Sequence, residues 1–172
     1  MQEQRMWKEL RKRNMILACL WKNSYDRVLE LACGNGMLSV KLAHRAHQLA
    51  CCDHSAARLA SAARRMGSTP NVRFLLRQLP TQWPSGRYDL VVINNLATKY
   101  DLQELSDMTQ HVRESLLPKG FILACHWRSP SDGKEHCTAS QIHQHISQRL
   151  GRPTLLHHEE PDFLLDIWQS RA

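Results

Sequence analysis

RVLELACGNGMLSVKLA, from Arg27 to Ala43, passes from an apolar run (Val28, Leu29, Leu31) into Cys33-Gly34-Asn35-Gly36 and at once into a helix-like pattern. Strand, glycine turn and helix in that order can cradle a nucleotide against backbone N–H groups. Three kinds of nucleotide compete for such a turn. A phosphate loop needs Lys and then Ser or Thr after its last glycine, whereas Gly36 is followed by Met37-Leu38-Ser39. A dinucleotide fingerprint needs glycine or alanine where Ser39 stands.

The neighbouring segments place the turn in a fold. Met6 to Trp21 has helical periodicity, with Met6, Leu10, Leu17 and Trp21 on one face and Arg11 and Lys12 away from it. Arg27 to Leu31 is a short buried strand, and Gly36 to Ala46 reads as a helix. A second strand ends at Asp53, and Ser55 caps a helix from Ala56 to Met66. NVRFLL is a third strand and YDLVVINN a fourth, apolar enough to be buried on both faces. Leu102 to Leu117 reads as a helix ended by Pro118-Lys119-Gly120, followed by the strand FILACHW. The polar loop RSPSDGKEH leads to a helix from Ala139 to Leu150, and PTLLHHEEPDFLLDIWQ closes the chain as a hairpin. The fold expected is α/β, a doubly wound, mostly parallel sheet of seven strands with a C-terminal antiparallel hairpin. Right-handed crossovers then bring Gly34, Asp53, Asn94, Asn95 and His126 to the carboxyl ends of the strands, where such sheets bind ligands.

Asp53 lies 19 positions after Gly34, where a carboxylate can accept the ribose hydroxyls of an adenosine cofactor. Glu30, four residues before Gly34, occupies a strand position that a dinucleotide fold fills with an apolar side chain. A carboxylate there suits a cofactor with a cationic amino-acid tail and no pyrophosphate, namely S-adenosylmethionine. Turn-capping or pairing with Arg27 is the alternative for Glu30.

At 172 residues the chain is long enough for one domain with a real core, residues 1–24 forming a helical cover and 25–172 the catalytic core. No apolar stretch is long enough to span a bilayer, and no signal peptide is expected. Six cysteines, without a CxxC pair, suit reduced thiols in a cytoplasmic protein. The formal net charge of +7 is uneven: Arg5, Lys8, Arg11, Lys12 and Arg13 crowd the first turns, while the last stretch carries Glu159, Glu160, Asp162 and Asp166. That helix is either a solvated face or, in a second reading, a nucleic-acid-binding one, although no aromatic residues alternate with the charges to stack bases.

VLELACGNG resembles the first motif of class I S-adenosylmethionine-dependent methyltransferases, and LLPKGFIL the end of the fourth helix and the fifth strand of that fold. NVRFLLRQLPTQWPSGRYDLVV, ACHWRSPSDG and HHEEPDFLLDI are similar to the NodS-like branch of nodulation N-methyltransferases. The resemblance implies a Rossmann-like domain and an acceptor amino group on a small molecule or an oligosaccharide. It also implies that Glu30, Ala32, Cys33, Gly34, Asn35 and Gly36 surround the methionine part. Asp53 would hold the ribose, His54 would lie beside the adenine, and Gln78 and Leu79 would meet the adenine edge. Asn94 would close the cofactor site at the end of strand four. The sequence departs from the branch at Ala32, in place of a first glycine, at Gln78, in place of aspartate, and at Asn94-Asn95, in place of a Ser-Glu-like pair. The Gln78 amide can still bond the adenine edge, whereas Ala32 and Asn94-Asn95 leave a third reading, a relative that binds the cofactor without transferring its methyl group.

An amine acceptor must lose a proton, because an ammonium has no lone pair. His126 is the first candidate base, with a bond to a loop carbonyl as its alternative. His158 and Glu159 follow, as bases or substrate anchors. Asn95 is placed beside the acceptor, Tyr100 either lines the acceptor pocket or packs against the following helix, and Trp127 and Arg128 either contact a sugar or lie in solvent. His136, Cys137, His143 and His145 suggest zinc, but His143 and His145 are two apart on a helix and face apart, so no metal is expected.

Overall fold

A computed structural model describes residues 2–128 and 136–171; the polar loop at 129–135 lies outside them. Five helices, α1 (Gln2–Cys19), α2 (Ser39–Ala43), α3 (Ala56–Met66), α4 (Leu102–Ser115) and α5 (Ala139–Leu150), surround a sheet. Its strands are β1 (Tyr25–Leu31), β2 (Ala46–Asp53), β3 (Val72–Leu76), β4 (Tyr88–Asn94), β5 (Leu116–Trp127), β6 (Leu156–Glu159) and β7 (Phe163–Gln169). Their order is β3-β2-β1-β4-β5-β7-β6. The first five are parallel, and β7 and β6 enter antiparallel, as the hairpin pattern predicts.

Alternation along the strands splits the core in two. Val28, Leu90, Val92, Leu123 and Cys125 face one way, against Ile16 of α1, Leu42 of α2 and Leu59 of α3. Leu29, Leu31, Val91, Ile93 and Ile122 face the other, against α4 and α5 through Leu105, Met108, Val112, Ile142 and Ile146. Capping boxes start both of those helices, Asp101 with Glu104 and Thr138 with Gln141. Ser55 accepts from the Arg58 N–H and so caps α3, as expected.

Three boundaries differ from the sequence reading. The helix after the glycine turn is only Ser39–Ala43, because the turn continues through Leu38 and β2 begins at Ala46. α4 stops at Ser115, since Leu116 already pairs with Tyr88; the register then jumps to Leu90 opposite Phe121, and Lys119 takes a positive φ of 60° within that irregularity. The third difference reverses a face. Met6, Leu10 and Trp21 are 64%, 44% and 53% exposed, whereas Lys12 is 1% exposed and Ile16 is buried. Ile16 and Leu20 enter the core, with Met15, Leu17 and Cys19 packed beside them, and Lys8 pairs with Asp162 at 2.7 Å and Arg11 with Glu160, both at the β6–β7 turn. Two of the basic residues that suggested a nucleic-acid face are thereby paired with acids of this chain.

The two glycines of the turn do different work. Gly36 has φ +78°, and a Cβ there would stand 2.9 Å from the Ala62 Cβ of α3. Gly34 has φ +59° with nothing within 4 Å of its missing Cβ. Gly36→Ala is expected to destabilise the fold by about 2–4 kcal/mol, from left-handed strain plus overpacking. Gly34→Ala carries the strain alone and should cost about 1 kcal/mol. Urea unfolding of the two variants measures the difference, and equal costs would mean that α3 does not press on the turn.

Candidate active site

The glycine turn, the end of β2 and the ends of β4 and β5 meet along the carboxyl edge of the sheet. Asp53, the last residue of β2, is 2% exposed. Its Oδ2 accepts from the Gly34 N–H and its Oδ1 from the Ser55 N–H, each at 2.9 Å. These two bonds aim the carboxylate at the turn, and each oxygen keeps a lone pair for a ligand hydroxyl. Ala32 sits at φ 53°, in the left-handed region rather than at the negative φ that would suit alanine. The departure from glycine therefore stores roughly 1 kcal/mol of strain in the turn.

Glu30 lies beneath the turn, 1% exposed, and accepts from Ser39 Oγ at 2.5 Å and from Cys51 Sγ at 3.7 Å. Burial pushes its carboxyl up to about 7, against the opposing pull of the Ser39 bond. Neither capping-type pairing with Arg27 nor a cationic partner is found for it among the described residues. Cys33 is buried, Asn35 is exposed and Gly36 is packed on α3. His54 is exposed and lies 3.6 Å from Asp53. Gln78 is exposed, and only its backbone makes the bonds to Gln82 and Thr81. Leu79 is buried beside it.

At the ends of β4 and β5 the side chains take roles that the sequence did not show. Asn95 has φ 54°, and its Oδ1 accepts from the Trp127 N–H at 3.1 Å, so it stitches β4 to β5. The Tyr100 hydroxyl donates to the Leu79 carbonyl at 3.1 Å, and burial raises its pKa. Both are anchors of the edge in this geometry. In the hairpin, Glu159 pairs with Arg128 at 2.7 Å and His158 with Glu160 at 3.1 Å. All three carboxylates of that turn (Glu159, Glu160, Asp162) are thus held by cations of this chain.

His126 is fully buried, on the α5 side of β5. Its Nδ1 is 2.9 Å from His143 Nε2, and its own Nε2 has no partner among the described residues. Burial, then His143 and Lys12, lower its pKa well below the ordinary histidine value. The ring is therefore neutral, an acceptor rather than a proton store. Among the described residues no group of histidines, cysteines and carboxylates has a metal-binding arrangement, and His143 is spent on His126 and Asp166.

Lys12 is the residue that sequence reasoning missed. Its Nζ donates to Asn94 Oδ1 at 2.7 Å and stands 4.7 Å from the Trp127 ring centroid. Burial lowers its pKa to about 8, with the Glu9 carboxylate opposing. A lysine buried at the ligand edge of the sheet is a functional-site signature. In the sequence it was one more charge in a basic run. Arg13, Asn35 and Met37 join Met6, Trp7 and Leu10 around an open apolar groove of about 700 Å³ between α1 and the glycine turn.

The parallel sheet with its antiparallel end, the left-handed glycine turn and the braced acid ending β2 define a class I S-adenosylmethionine-dependent methyltransferase. The chain belongs to the methyltransferase domain family, which matches residues 28–120. A Pseudomonas syringae protein described as a methyltransferase is 37% identical, over 95% of this chain and 99% of its own, with a TM-score of 0.84. The N-methyltransferase NodS of Bradyrhizobium japonicum has a TM-score of 0.85 over 95% of this chain and 97% of its own, at 16% identity. DhpI, solved with S-adenosylhomocysteine, has a TM-score of 0.78 over 96% and 86%, at 21% identity. Those two likenesses concern the fold. No curated protein matches the chain in sequence.

The residues present fit the cofactor. The space over Gly34 is open where a Cβ would stand. Asp53 retains acceptors for two hydroxyls, and Glu30 is a buried acid without a cation.

Proposed function

We propose that this chain N-methylates an amino group of a small molecule or amino sugar, as the NodS-like resemblance implies. Lys12 carries the reading. Its buried charge at the end of β4 disfavours a second cation, so an amine there is driven to its neutral, nucleophilic form. NodS, at matching size and topology, is described as an N-methyltransferase. The HWR strand end and the HHEEPDFLL hairpin support the same branch.

S-adenosylmethionine supplies a methyl group already activated on a sulfonium. The backbone around Ala32, Cys33, Gly34, Asn35 and Gly36 receives the methionine part, and Glu30 answers its ammonium. Asp53 takes the ribose hydroxyls. His54 flanks the adenine, while Gln78 and Leu79 meet its edge. Asn94, held by Lys12, borders the cofactor near the methyl group. Alignment of the nucleophile by these groups can contribute roughly 7–11 kcal/mol to the rate. The buried free thiols suit a reducing compartment such as the cytoplasm.

The test is mass-spectrometric detection of methyl transfer from S-adenosylmethionine to a panel of glucosamine, chitosan oligosaccharides, simple amines, carboxylates, phenols and RNA. Methylation of amines and not of carboxylates is the expected result. Turnover confined to carboxylates, phenols or RNA would overturn it.

A further inference from the structure

Five arginines line one hollow at the end of the sheet opposite the glycine turn. Arg87 precedes β4, Arg113 lies near the end of α4, Arg149 and Arg152 flank the left-handed cap of α5 at Gly151, and Arg171 follows β7. The hollow has a volume of about 490 Å³, within the size range of small-ligand sites. Leu116, Ile122 and Leu150 give it an apolar lining, and no carboxylate lines it among the described residues. β4 spans seven residues, so roughly 23 Å separate the hollow from Asn94 at the cofactor edge.

The charges of the hollow are not answered within the chain. Arg11, Arg13 and Arg128 pair with acids. Among the described residues, the five of the hollow make neither an ion pair nor a side-chain hydrogen bond, and the Arg152 Nε is buried without a partner. Helix ends account for two of them, because Arg113 and Arg149 lie in the last turns of α4 and α5, where free carbonyls favour a cation. Arg87, Arg152 and Arg171 lie outside those turns. Arg171 is held in place: its carbonyl accepts from the Lys119 N–H at 2.9 Å, and the Ser170 N–H donates to the Gly120 carbonyl at 2.8 Å. Guanidinium groups do not lose their protons in proteins, so the hollow carries five positive charges at any working pH.

We propose that this hollow binds a short chain of phosphate groups, at a site separate from the methyl-transfer edge. Each guanidinium is a planar fork that matches two phosphate oxygens. A single phosphate ester carries about −1.5 to −2 charges near pH 7 and would answer only two of the five arginines. Two or three linked phosphates come close to balancing them all. No aromatic ring lines the hollow to stack a base, so recognition lies in the phosphates themselves. An inorganic polyphosphate and the triphosphate end of a nucleotide share that chemistry. At roughly 23 Å from the cofactor edge the ligand takes no part in methyl transfer, and the inference stands whichever acceptor is methylated.

Calorimetric titration of protein saturated with S-adenosylhomocysteine tests this, with tripolyphosphate, ATP and inorganic phosphate as probes. Filling the cofactor site keeps the adenosine of ATP out of it. Tripolyphosphate should bind one-to-one, roughly 10-fold or more tighter than inorganic phosphate, and should raise the melting temperature. ATP binding tighter than tripolyphosphate would make a nucleotide the source, and weaker binding a free chain; both support the site. Arg113→Gln combined with Arg152→Gln should weaken tripolyphosphate roughly 10-fold or more and leave S-adenosylhomocysteine affinity unchanged. Loss of two mutually repelling charges favours the compact chain, so this variant should fold. Arg73 lines another hollow with Arg27, and Arg73→Gln should change the affinity by no more than about two-fold. An equal loss in Arg73→Gln and the double variant would overturn the site, because binding would then follow net charge alone. Absence of tripolyphosphate binding, or no preference over inorganic phosphate, would overturn it without any variant having to fold. Binding of single-stranded RNA but not of tripolyphosphate would give this edge to nucleic acid and overturn the proposal too.

Discussion

Asp53→Ala is expected to weaken S-adenosylhomocysteine binding by roughly 100-fold or more, since two hydrogen bonds to a charged carboxylate contribute about 1.5–3 kcal/mol each. The same change strips the Gly34 and Ser55 N–H groups of their acceptor. The turn then loses its support together with its ribose ligand. Asp53→Asn separates the two effects, because an amide oxygen can still take one of the N–H groups but only weakly holds the ribose. Calorimetric titration measures the affinity, and thermal unfolding shows whether the turn survives. Unchanged affinity in a folded Asp53→Ala protein would remove Asp53 from the cofactor site.

Lys12→Met should change both stability and turnover. Burial holds the Lys12 amine near 8 in the fold, against 10.5 for an exposed lysine. Between those two pH values the unfolded chain binds more protons than the folded one, so stability must rise with pH across that window. The rise amounts to about 3 kcal/mol at most for this shift. Below pH 8 the penalty of burying the charge is present in full. Lys12→Met is expected to abolish the rise, to be the more stable protein at pH 7, and to lose about 10-fold or more in amine methylation. Affinity for S-adenosylhomocysteine should stay the same. Urea unfolding at pH 7 and pH 10 together with turnover assays would show this. A wild type whose stability is flat from pH 8 to 10 would mean that the amine is not buried in solution. Turnover equal to wild type would take Lys12 away from the acceptor.

Much of the architecture was legible because strands buried on both faces leave continuous apolar runs, as in YDLVVI, and because helix starts carry capping residues. Ser55 and the length of α5 are examples. The boundaries that shifted are those set by pairing partners far away in the chain. Leu116 became strand because Tyr88 lies beside it, and no local propensity of Leu-Leu-Pro-Lys-Gly encodes that. The face of α1 was misread for a similar reason. Met6, Leu10, Leu17 and Trp21 form an apolar stripe, yet Ile16 and Leu20 enter the core, and Lys8 and Arg11 pair with the distant β6–β7 turn.

By itself, the sequence determined the class: glycine turn, acid at the end of the second strand, alternating elements and the terminal hairpin. Those features are local in the chain, and their spacing survives without any knowledge of packing. Only the tertiary structure decided which polar groups are buried at the ends of β4 and β5. Lys12 and His126 lie 114 positions apart, and both are charged or polar residues whose meaning depends on burial. Water would leave Lys12 a solvated cation and His126 an ordinary imidazole. Desolvation beside Asn94 and Trp127 lowers the Lys12 pKa, and burial against His143 lowers that of His126.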